Sequence, residues 1–86
     1  STFKNFNDKK AWELIKESNC EKMSVGGAKI SEKHCNFFIN EGNATSKDIE
    51  ELINKVKKQV LEKTNINLEL EIKVIGKNRW KKRKLF

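Results

Sequence analysis

Between Thr45 and residue 63, five apolar side chains, Ile49, Leu52, Ile53, Val56 and Val60, recur three and four positions apart, with lysines and glutamates filling most of the gaps. That spacing gathers them on one face of an α-helix and leaves the opposite face to water. Thr45, followed three positions later by Asp48, supplies the hydroxyl and carboxylate of a capping box, so the helix is expected from about 46 to 63. A helix with a single apolar face is marginal by itself, and in a chain of 86 residues the remaining segments must provide the surface that covers it.

That surface is written in the other apolar runs. Leu68-Glu69-Leu70-Glu71-Ile72-Lys73-Val74-Ile75-Gly76 alternates, which sets Leu68, Leu70, Ile72 and Val74 on one face of a strand and Glu69, Glu71 and Lys73 on the other. Asn36-Phe37-Phe38-Ile39-Asn40 is β-prone and ends in a turn at Glu41-Gly42-Asn43. Residues 24 to 30 form a further stretch interrupted by Gly26-Gly27. Paired glycines there mark a bulge or the close approach of another backbone, and one strand with an irregular middle is expected. Ahead of these, Asn7-Asp8 offers an N-cap, and Ala11, Trp12, Leu14 and Ile15 recur at helical spacing, giving a short helix from about 8 to 18. The order is α-β-β-α-β. The expected fold is a small single α+β domain, with two helices packed on one face of a small, mostly antiparallel sheet.

Formal charge is +7, yet six cations, Lys77, Arg79, Lys81, Lys82, Arg83 and Lys84, follow Gly76, so the body before them carries +1. Attraction to nucleic acid or to an anionic membrane therefore rests on residues 77–86, where Trp80 adds an indole for stacking on a base. A solvated charged tail accounts for the same residues. No apolar run reaches the ~20 residues of a membrane span and no signal-like segment opens the chain, so a soluble cytoplasmic protein is expected. Cys20 and Cys35 lack the company of a disulfide scaffold and read as reduced thiols.

Taken by spacing alone, the chemistry-bearing residues are few. Glu69, Glu71 and Lys73 on one strand face fit either a charged site or a plain solvated sheet surface. His34, beside Lys33 in the polar stretch 31–35, suits an anion and equally suits a lone surface histidine. No metal site is expected, because His34 and Cys35 have no second His or Cys at ligand spacing. Gly26-Gly27 lacks the third glycine and the following helix of a dinucleotide fingerprint, and Ser1 has neither a local base nor a Gly-x-Ser-x-Gly context.

Several stretches together are more specific than any one of them. Ser1-Thr2-Phe3-Lys4-Asn5, Ala11-Trp12-Glu13-Leu14-Ile15, Gly26-Gly27-Ala28, Ser31-Glu32-Lys33-His34-Cys35-Asn36-Phe37, Asn40 with Gly42-Asn43-Ala44-Thr45, Asp48-Ile49 and Leu68 to Gly76 resemble, in order and spacing, the C-terminal domain of the UDP-N-acetylenolpyruvoylglucosamine reductase family. These flavoenzymes are also called UDP-N-acetylmuramate dehydrogenases. The likeness covers residues 1–76, leaving 77–86 as a basic tail.

The resemblance implies an oxidoreductase of peptidoglycan synthesis, and so of cell-wall formation, cell shape and division. FAD is held by N-terminal domains absent from this chain, NADPH reduces the flavin, and UDP-N-acetylglucosamine enolpyruvate becomes UDP-N-acetylmuramate. The fragment alone is expected to be inactive. Ser1 falls on the serine that donates a proton to the carbon bearing the substrate carboxylate, and Glu71 on the catalytic glutamate, which works beside an arginine from a missing domain. Asn5 and His34 fall on substrate contacts, His34 near the diphosphate, and Lys73 lies where many members carry arginine. Phe6 departs from the usual proline, and the extension from Trp80 to Phe86 has no counterpart. The resemblance thus requires a hydroxyl and a carboxylate from opposite ends of the domain to meet in one pocket. The alternative from a different class is a stand-alone binding module that uses its basic tail for nucleic acid or an anionic membrane.

Overall fold

The computed structural model describes residues 1–71, in which α1 (Ala11–Glu17), β1 (Ser24–Val25), β2 (Ala28–Ile30), β3 (Phe38–Asn40) and α2 (Ser46–Thr64) follow one another. Ile72, Lys73 and Val74 of the alternating run, and the tail 77–86 with Trp80, lie outside the described residues.

Helix α2 begins where the capping box predicts. The Asp48 N–H donates to the Thr45 hydroxyl and the Thr45 N–H to the Asp48 carboxylate, each at 3.1 Å. At the far end Asn65 turns left-handed at φ 63° and returns its N–H to the Leu61 carbonyl, a conformation asparagine tolerates better than most residues. Ile49, Leu52, Ile53, Val56 and Val60 are all buried. Burial of each such side chain contributes about 1.5–3 kcal/mol and an N-cap about 1 kcal/mol, so packing holds the helix while the cap sets where it starts.

The sheet is antiparallel in the order β1-β2-β3, with Ser24 opposite Lys29 and Ile30 opposite Phe38. Residues 24–30, expected as one irregular strand, are a hairpin that reverses at Gly26-Gly27, with Gly26 at φ 57°. Arms this short carry too few residues to distinguish a reversal from a kink by pattern. The glycines also admit another backbone: a Cβ on Gly27 would lie 3.0 Å from the Ala44 nitrogen and 3.1 Å from the Asn43 nitrogen. Gly27→Ala is therefore expected to destabilise the domain by about 1–3 kcal/mol, read as a lower urea midpoint, because the obstacle is main chain that cannot rotate aside. An unchanged midpoint would contradict the close approach.

Helix α1 starts later than Asn7-Asp8 suggests. Asn7 sits at φ 54° in a tight turn closed by reciprocal bonds between Phe6 and Lys9, at 2.9 and 2.8 Å. The cap comes from farther back, where the Asn5 Oδ1 accepts the Ala11 N–H at 2.9 Å. Ala11, Leu14 and Ile15 point into the core, while Trp12, the next position round the helix from Ala11, stays 42% exposed. Helix α1 packs on α2, and α2 packs on β1 and β2, which gives the α+β class expected from the sequence.

Candidate active site

Residues 1–4 run between two neighbours. On one side they pair antiparallel with residues 69–71: Phe3 opposes Leu70, the Lys4 N–H donates to the Glu69 carbonyl, and the Glu71 N–H donates to the Thr2 carbonyl, both at 2.9 Å. On the other side stands Asn36. Its main-chain carbonyl accepts the Thr2 N–H at 2.8 Å, its Oδ1 accepts the Phe3 N–H at 2.9 Å, and its Nδ2 donates to the Phe3 carbonyl at 2.9 Å. Phe3 itself is buried edge-to-face against Phe38, with ring centroids 5.9 Å apart at 78°. An aromatic anchor in the core and a hydrogen-bonded partner on each flank leave this terminal segment little freedom.

Those constraints set the position of the first side chain. The Ser1 hydroxyl donates to the Glu71 Oε2 at 2.8 Å, joining groups 70 positions apart in sequence. Ser1 is half-buried and Glu71 exposed, so the pair opens outward. With Oε2 taken by the hydroxyl, Oε1 has no hydrogen-bond partner among the described residues. Within the described part of the alternating row Leu68 is buried, while Leu70, expected on the same face, keeps 36% exposure.

His34 is exposed, and its ring lies tilted on Phe37 with centroids 5.1 Å apart. The Ser31 hydroxyl accepts main-chain N–H groups from Lys33 at 3.3 Å and His34 at 3.4 Å, and the His34 carbonyl accepts the Phe37 N–H at 2.9 Å. With Trp12, Lys16, Lys33 and Cys35, His34 lines a cleft of about 310 Å³. Asn36, two positions on, ties this loop to residues 2 and 3. The structure thus brings Ser1 and Glu71 together and links the His34 loop to them through one amide. Asn5 has committed its Oδ1 to α1, and its amide nitrogen has no hydrogen-bond partner among the described residues. Lys73 lies outside the described residues.

Cys20 and Cys35 are both free thiols. Burial, with Glu21 and Cys35 nearby, pushes the Cys20 thiol up to about 11; burial and Glu21 raise Cys35 as well, against Lys16. Both therefore stay protonated near neutral pH and are poor nucleophiles. Among the described residues no three His, Cys, Asp or Glu side chains are grouped to hold a metal ion, and no helix is long and apolar enough to cross a membrane.

Asn36 is the residue that sequence reasoning passed over. Its signal was an amide directly ahead of the apolar Phe37-Phe38-Ile39 stretch, and an asparagine buried to 7% exposure must find partners for its polar atoms.

A family model described as UDP-N-acetylenolpyruvoylglucosamine reductase, C-terminal domain, matches residues 1–75. Proteins named UDP-N-acetylenolpyruvoylglucosamine reductase are similar to the chain: one from Wolbachia pipientis wMel is 54% identical over 74 residues, covering 86% of this chain and 25% of that protein. One from Orientia tsutsugamushi (strain Ikeda) is 51% identical over 77 residues, covering 90% and 25%, and one from Rickettsia prowazekii (strain Madrid E) is 52% identical over 77 residues, covering 90% and 26%. The chain spans about a quarter of the length of these curated relatives. With the match running from the Ser1 segment through Glu71, the chain belongs to the UDP-N-acetylenolpyruvoylglucosamine reductase C-terminal domain family.

Proposed function

We propose that residues 1–76 act as the substrate-closing C-terminal domain of a longer reductase that converts UDP-N-acetylglucosamine enolpyruvate to UDP-N-acetylmuramate in the cytoplasm, for peptidoglycan synthesis. The observation that carries this reading is the Ser1 hydroxyl on the Glu71 carboxylate at 2.8 Å, within a family match that includes both residues. FAD and NADPH belong to upstream domains in this reading. The Gly26-Gly27 turn is packed against the backbone of residues 42–44 and opens no cradle for a phosphate.

Reduction of an enolpyruvyl ether adds hydride at its terminal methylene and a proton at the carbon bearing the carboxylate. This domain supplies the proton half. Ser1, a weak acid in water, serves because its hydroxyl is held in place beside a group that manages the charge left behind. The protonation state of Glu71 decides its part: a protonated carboxyl would hydrogen-bond the developing enediolate, whereas an ionised one would repel it. Asn5 and His34 contact the substrate, His34 near its diphosphate, and Lys73 offers a point charge in place of an arginine fork.

The test is direct. The full-length protein carrying this domain, purified with FAD, should oxidise NADPH in step with the enolpyruvyl nucleotide sugar and yield a product heavier by one H2, while the isolated 86-residue chain shows no turnover. A flavin-loaded full-length protein that leaves this substrate unchanged would refute the reading.

A further inference from the structure

We infer that Asn36 is a positioning residue for the proton transfer, holding the Ser1 hydroxyl and the Glu71 carboxyl in register from behind; the inference rests on the function proposed above. A primary amide offers one acceptor and one donor side by side, much as a peptide edge does. Asn36 uses both on the N–H and carbonyl of Phe3, and adds its own carbonyl for the Thr2 N–H. It therefore stands in for a neighbouring strand along residues 2 and 3, next to the residue whose hydroxyl is at issue. The clamp reaches the acid as well, because the Thr2 carbonyl, carried by the peptide Asn36 fixes, accepts the Glu71 N–H at 2.9 Å.

Two features separate this from ordinary core packing. The site is apolar on its inner side, where Phe3 and Phe38 are buried, and an aliphatic side chain of similar size would fill the space; it would also orphan both Phe3 backbone groups. Asn36 is moreover the point where the His34 loop joins the Ser1 segment, so one amide couples the proposed diphosphate contact to the proposed proton donor. Asn36 touches no reacting atom in this account. It acts through the hydroxyl it places, and misplacement by an ångström costs on the order of 100-fold in rate.

The experiment is a double-mutant cycle in the full-length reductase with FAD. Asn36→Ala should slow oxidation of the reduced flavin by the enolpyruvyl substrate about 100-fold, with flavin reduction by NADPH unchanged. In a Ser1→Ala background the same change should cost no more than about threefold, because there is no hydroxyl left to misplace. A 100-fold loss repeated in both backgrounds would show mere support of the domain and overturn the inference, as would normal turnover in Asn36→Ala, while leaving the proposed function intact. A near-normal Ser1→Ala enzyme would instead sink the function itself and this inference with it. If Asn36→Ala does not fold, Asn36→Asp keeps the acceptor for the Phe3 N–H but turns a second oxygen on the Phe3 carbonyl in place of the donor, and the cycle is read on it with a loss of about tenfold or more expected.

Discussion

In the full-length reductase proposed above, Ser1→Ala is expected to lower turnover by about 10³-fold or more while flavin reduction by NADPH proceeds at its normal rate. A positioned general acid contributes about 10² to 10⁴ in rate, and here no second hydroxyl or imidazole is held at the same point by the described residues. The Ser1 backbone is anchored by its neighbours and not by its own side chain: Phe3 lies in the core, Asn36 holds residues 2 and 3, and residues 69–71 pair on the other flank. Removing the hydroxyl therefore leaves the fold in place, and Ser1→Ala should melt within about 0.5 kcal/mol of the parent, as expected for an exposed bond of modest worth. A large activity loss without a stability loss is the signature. Equal loss of both would mean that the serine is structural.

Glu71 gives the second large effect, and its form can be read from two substitutions. Glu71→Ala should cost about 10³-fold, because it removes both the partner of the Ser1 hydroxyl and the group proposed to face the enediolate. Glu71→Gln should recover about tenfold of that loss. The glutamine carbonyl still accepts from Ser1, and its amide still donates to the enediolate, but it cannot release a proton. Glutamine no better than alanine would indicate that the acid works ionised and would reverse the electrostatic part of the mechanism.

Much of this was legible in the sequence where physics is local. Helix α2 is spelled out by Thr45, Asp48 and the five-residue stripe, and its start is observed at the predicted residue. Where the determinant is distant, local reading missed. The start of α1 is set by Asn5 reaching over the turn at Phe6 and Lys9, so the nearer Asn7-Asp8 pair misled. Trp12 shares the apolar spacing of Ala11, Leu14 and Ile15, yet those three already fill the inner face of a helix of seven residues and leave the indole 42% exposed. The hairpin at Gly26-Gly27 hid inside one apolar run because β1 has two residues and β2 three.

The candidate site divides the same way. Nothing in spacing joins Ser1 to Glu71, since the contact depends on which segments pair in three dimensions, and only the likeness to a whole family pointed to it. The structure adds the means: Phe3 paired with Leu70, and Asn36 on the opposite flank. The charged strand face that looked like solvated surface carries, at Glu71, the carboxylate that meets the hydroxyl.

The most direct test is the double variant Ser1→Ala/Glu71→Ala in the full-length reductase, followed by anaerobic oxidation of its reduced flavin with the enolpyruvyl nucleotide sugar. If hydroxyl and carboxyl work as one unit, the double variant should be no more than about tenfold slower than the slower single variant. Losses that multiply, giving about 10⁶-fold together, would mean that the two groups act independently, and the bond between them would then have no part in the chemistry.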